Sequence, residues 1–134
     1  MTNKIGFEVK LKDTYEEAMQ KLTESLKREG FGILTQIDVQ KTLKDKLGVD
    51  FRRYAILGVC NPSLAHRALT RNPEAGLLLP CTVTMETEAD GSTTIRIADP
   101  EIMLNIGQMG KDEELANVGK DAREKLLRVA QSLQ

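Results

Sequence analysis

Aromatic residues make up only 4% of this 134-residue sequence, and tryptophan is absent. Few flat faces are therefore available for stacking on bases or sugars. A surplus of one charge is missing too: 19 Lys and Arg stand against 20 Asp and Glu, a formal net charge of -1. Coating nucleic acid or settling on acidic lipid needs a basic excess, so neither partner is expected. No apolar run approaches the ~18–20 residues of a membrane helix. Lys4, Glu8 and Lys10 interrupt Met1 to Lys10, so no apolar leader core is expected there. The two cysteines, Cys60 and Cys81, are too few for a secreted disulfide framework. A reducing cytoplasmic compartment is the expectation. Also lacking are a glycine-rich phosphate loop followed by Lys-Ser/Thr and a serine in a nucleophile elbow, while a single histidine restricts any hydrolase triad to one base.

What is present is a composition that folds: 40% hydrophobic and 29% charged residues. A chain this long hides roughly two-thirds of its unfolded surface, enough for one core, and residues 1–134 are expected to form one domain. Ile5, Phe7, Val9 and Leu11 alternate as a strand. Thr14 and Glu17 have capping-box spacing ahead of a helix carrying Tyr15, Ala18, Met19, Leu22 and Leu26 on one face, stopped at Gly30. Phe31, Ile33, Ile37 and Val39 predict a second strand, and 42–47 a short helix ended by Gly48. Tyr54 to Val59 is apolar on both faces, which predicts a central strand. Asn61-Pro62 opens a helix that buries Leu64, Ala65, Ala68 and Leu69. Cys81 to Glu88 and Thr93 to Ala98 flank Asp90-Gly91 as a hairpin. An irregular connection then leads to a long helix from about Asp112 to Leu133. This order predicts an α+β fold, a mainly antiparallel sheet with helices on one face. The other face is expected to be wet or covered by a second copy.

One constellation points to chemistry: Gly58-Val59-Cys60-Asn61-Pro62 with Leu79-Pro80-Cys81. Cys60 falls between a strand end and a helix amino terminus, where free amides and the helix dipole favour a thiolate. Gly58 would let another group approach the backbone beside it. Cys81 opens the following strand, so the two sulfurs are expected to be neighbours. His66 lies one turn into the helix, within possible reach as base or ligand, although Arg67 and Arg71 point to a solvated basic face. A zinc site would need further ligands, such as Asp38, that no spacing indicates. Arg52-Arg53 form a second, weaker anion-binding candidate. Three readings remain open. One is a pocket around Cys60, Asn61, Pro62, His66 and Cys81 for a small ligand or soft metal ion. Another is a thiol redox protein in which Cys60 attacks and Cys81 resolves. The third is an interaction module whose cysteines are inert core. No reaction and no cofactor is specified.

The segments Gly30 to Val39, Thr42-Leu43-Lys44, Lys46-Leu47-Gly48, Ile56 to Pro62, Ala65, Ala68-Leu69, Gly76 to Cys81 and Asp99-Pro100 together resemble the domain-of-unknown-function 302 family over nearly the whole chain. Cys60 and Cys81 fall on that family's motif cysteines, whereas its pattern demands no histidine at His66. The resemblance implies a single-copy TATA-binding-protein-like α+β fold and a homodimer. It supplies no activity, and fold likeness alone implies no DNA binding.

Overall fold

The computed structural model describes residues 5–134, so Met1–Lys4, part of the stretch read for a leader, lie outside the described residues. The elements are β1 (Gly6–Leu11), α1 (Tyr15–Arg28), β2 (Gly32–Asp38), α2 (Val39–Leu47), β3 (Tyr54–Cys60), α3 (Pro62–Arg71), β4 (Cys81–Thr87), β5 (Thr93–Ala98), α4 (Pro100–Met103) and α5 (Glu113–Leu133). Short 3-10 turns occupy Pro73–Leu78 and Gly107–Lys111. The five strands form one antiparallel sheet in the order β1-β5-β4-β3-β2. This is the expected α+β class.

Period-two patterning decides which face carries the core. Phe7, Val9 and Leu11 of β1, Ala55, Leu57 and Val59 of β3, Val83 and Met85 of β4, and Ile95 and Ile97 of β5 are all buried. Against them pack α1 through Ala18, Leu22 and Leu26, α3 through Leu64 and Ala68, and α5 through Leu115, Val118, Ala122, Leu126, Val129 and Leu133. The Thr14–Glu17 capping box forms as read, and Asp112 caps α5 through the Leu115 amide. Ion pairs tie the helices together: Arg67 to Glu114 and Asp121, Arg71 to Asp112, and Arg128 to Glu29. The basic face expected around Arg67 and Arg71 is therefore a seam between α3 and α5.

Two expectations are corrected. β3 is not the central strand; β4 holds that place and β3 lies between it and the edge strand β2. The apolar outer side of β3 comes from Tyr54 and Ile56, which are half-buried rather than sealed. β2 is shorter than its alternation predicts because Asp38 stops it and caps α2, accepting from the Lys41 amide at 2.9 Å. The register of β2 shifts between Ile33 and Thr35. That shift leaves Leu34 66% and Ile37 50% exposed at the sheet edge.

Candidate functional site

Cys60 ends β3, and Asn61 turns the chain into α3. The Asn61 side chain joins two pieces of backbone: Oδ1 accepts from the Leu64 amide at 3.2 Å, and Nδ2 donates to the Glu29 carbonyl at the end of α1 at 3.2 Å. Pro62 holds the first helical position, where no amide is lost. Both residues act as read, but their polar groups are spent on the fold.

The two cysteines do not come together. In the β3–β4 register Cys81 stands opposite Val59 and shares its core-facing side. Cys60 is the next residue along, and successive strand side chains point to opposite faces. The sulfurs are consequently not near each other. Sequence reasoning placed both at the same end of adjacent strands correctly and missed the parity. The expected thiolate also fails: burial pushes the Cys60 thiol up, not down. Cys81 is pushed up to about 11, by burial first and by the Cys60 charge second. Both shifts run against an activated thiolate, and with the sulfurs apart nothing in the geometry supports an attacking and a resolving pair.

Gly58 serves the chain itself. A Cβ there would lie 2.3 Å from Thr35 Oγ1 and 2.6 Å from Pro80 Cγ, so the close approach predicted from the glycine is made by two internal neighbours. His66 is exposed on α3 and is absent from the cavity walls described next. Among the described residues no group of three or more His, Cys, Asp or Glu is placed to hold a metal ion. Asp38, the spare carboxylate, is a helix cap. Arg52 lies over Phe51, 4.5 Å from the ring centroid, and bonds Glu86; Arg53 lies 3.8 Å from the Tyr15 centroid and bonds Glu16. Each arginine thus already has a carboxylate and an aromatic ring as partners within the chain.

A hollow of about 70 Å³ does open where the sequence placed its candidates. Cys60, Asn61 and Cys81 contribute to its walls, with Leu64, Ala65 and Ala68 of α3 and Leu78 and Leu79 of the following turn. The remaining wall was not legible in the sequence: Pro100, Met103 and Leu104 from α4, and Val118 and Ala122 from α5. The available signal was the small residue at Gly119. A Cβ there would be 3.1 Å from the Glu101 Cα, so glycine lets α5 lie close against α4. The lining is almost wholly apolar. Its one carboxamide is engaged at both ends, and its thiols are uncharged. Such a space admits carbon more readily than charge.

The profile of the family described as "Domain of unknown function DUF302" matches residues 7–133. The chain is also similar to a crystal structure described as an uncharacterized conserved DUF302 protein from Bacillus stearothermophilus. That likeness has 32% identity and a TM-score of 0.86, covering 98% of this chain and 100% of the other. No curated protein matches. Among the described residues no helix is long and apolar enough to cross a membrane.

Proposed function

As this chain belongs to the DUF302 family, whose name carries no activity, we propose from its own geometry that it is a small-ligand-binding domain rather than an enzyme. Its site is the hollow between α3, α4, α5 and the Cys60 and Cys81 ends of β3 and β4. The observation that carries this reading is the 70 Å³ apolar space itself. Well-packed interiors leave few voids larger than a water, and an apolar void forfeits contacts that a ligand restores. Solution NMR under xenon tests it. Xenon is expected to shift the amides of Leu64, Ala68, Cys81 and Leu104 in a saturable manner; no shift at those four would overturn the reading.

The domain works as a homodimer in this account, and a separate observation supports that. Leu34 and Ile37 of β2, Leu47 of α2 and Val49 just beyond it are 66%, 50%, 68% and 44% exposed. Exposed carbon gathered on one edge strand and the helix that follows it is the kind that interfaces cover, and β2 also offers an open sheet edge. On α2 and the loop after it, Lys41 pairs with Asp45 and Lys44 with Asp50, so the arm presents little net charge to repel a second copy. Light scattering is expected to give twice the 14.9 kDa chain mass. Ile37→Lys with Leu47→Lys should give the monomer with its circular dichroism unchanged. A monomeric parent protein would contradict the dimer.

A further inference from the structure

Among the described residues nine large apolar side chains are exposed, and they divide into groups. Four belong to the β2–α2 arm. Another four lie beside cavity-lining residues in sequence: Leu69 follows Ala68, Leu77 precedes Leu78, Ile102 precedes Met103, and Ile106 comes two after Leu104. Leu77 is the most exposed of all at 84%, and Leu69 is 42% exposed. These two belong to neighbouring surfaces, because a Cβ at Gly76 would touch Leu69 Cδ2 at 3.5 Å. Exposed leucines are individually unremarkable. Here each stands next, or next but one, in sequence to a residue of the hollow's wall, on the turn and helices that build it.

The hollow is too small for a ring-sized ligand standing alone. A cavity of about 150 Å³ in another protein takes benzene, whereas this one is about 70 Å³. Of the polar lining, Asn61 is engaged at both ends and Thr82 is exposed at the rim, so little inside orients a hydrogen-bonding ligand, and no charged residue lines the hollow to hold an ion. What fits a narrow apolar hole with apolar residues around it is a linear hydrocarbon, partly inside and partly outside. Resting on the reading of the cavity as a ligand site, we propose that it takes the terminal carbons of a single alkyl chain from a free amphiphile. The carbons nearer the polar head lie across Leu69 and Leu77.

The test is an NMR titration of the full chain with 1-butanol, 1-hexanol and 1-octanol, beside xenon as a compact probe. Transfer of each further methylene from water to carbon is worth about a threefold to fourfold gain in affinity. The expected result is that gain from butanol to octanol, with shifts at Leu64, Ala68, Cys81 and Leu104. Leu77→Asn, at a solvent-facing position that leaves the core untouched, should weaken octanol at least threefold and leave xenon binding unchanged. Ala68→Leu, which fills the hollow, should abolish both. If xenon binds and the alcohols show no dependence on length, or Leu77→Asn binds octanol as well as the parent, the chain proposal is overturned while the cavity reading stands. If neither xenon nor any alcohol moves those amides, both fall. Sedimentation of the protein with neutral phosphatidylcholine vesicles would overturn the free source in favour of a bilayer.

Discussion

Asn61 shows how much one side chain does at the corner where the candidate site lies. It caps α3 and holds the last carbonyl of α1 with the same carboxamide. Replacing it by alanine removes both bonds and is expected to cost about 1–2 kcal/mol in urea unfolding. Asn61→Asp keeps the acceptor and loses the donor, so it should fall between the two. Equal stability of all three would deny the Asn61 bridge. The thiols make a second residue-scale prediction. Burial raises both, so iodoacetamide should modify native Cys60 more slowly than free cysteine at pH 8, and Cys81 should react only near pH 11 or after unfolding. Fast alkylation of Cys60 at pH 7 would contradict the raised thiol and favour a nucleophilic role.

Among elements, legibility followed the source of order. α1, α3, α5 and the β4–β5 hairpin rest on local rules, namely caps, a Pro at the first helical position, periodicity and an Asp-Gly turn, and all were read from sequence. The strand β2 departs from its alternation because of the register shift after Ile33: Ile33 packs against the core, whereas Ile37 is turned opposite Ile56 on the outer side. α4 was missed because a single turn held by Asp99 shows no period. Asp99 accepts from the Glu101 amide and is bonded by Arg123, each at 2.9 Å. The site followed the same division. Its α3 wall was visible through Asn61-Pro62, whereas its α4 and α5 walls come from long-range packing, and the parity of Cys60 against Cys81 depends on a register that sequence does not state.

The sheet's outer side supplies an element-scale prediction. Glu86 of β4 is buried there between Arg52 and Arg96, and Arg96 reaches on to Glu8 of β1, so one carboxylate links three strands and the β3 approach. Burial alone would raise the Glu86 carboxyl, but the two guanidinium groups together hold it below its ordinary value. A lowered folded-state value means stability that is present above the unfolded pKa of about 4.3 and lost as pH falls through the folded value. Acid should therefore weaken the parent protein below about pH 4.3 more than it weakens Glu86→Gln. At pH 7 the same variant should cost about 2 kcal/mol, the scale of a charged hydrogen bond. Superimposable stability–pH curves for the two proteins would contradict this.

For the whole molecule, three regions have distinct physical characters. The helical side of the sheet is sealed carbon, the opposite side carries paired charges on β1, β5 and β4, and the β2–α2 arm leaves carbon in water. At the corner between α3, α4 and α5 this region contains a hollow, and the exposed leucines next in sequence to its wall, Leu69 and Leu77, lie apart in sequence from those on the arm. The assignment of this corner to a ligand and of the arm to a second copy follows from that separation. Diffraction from crystals held under xenon pressure tests the central claim most directly. The account predicts anomalous density between Ala68, Cys81, Leu104 and Val118, with those side chains displaced little. Crystals that bind xenon elsewhere, or that show the corner collapsed and empty of density, would contradict it.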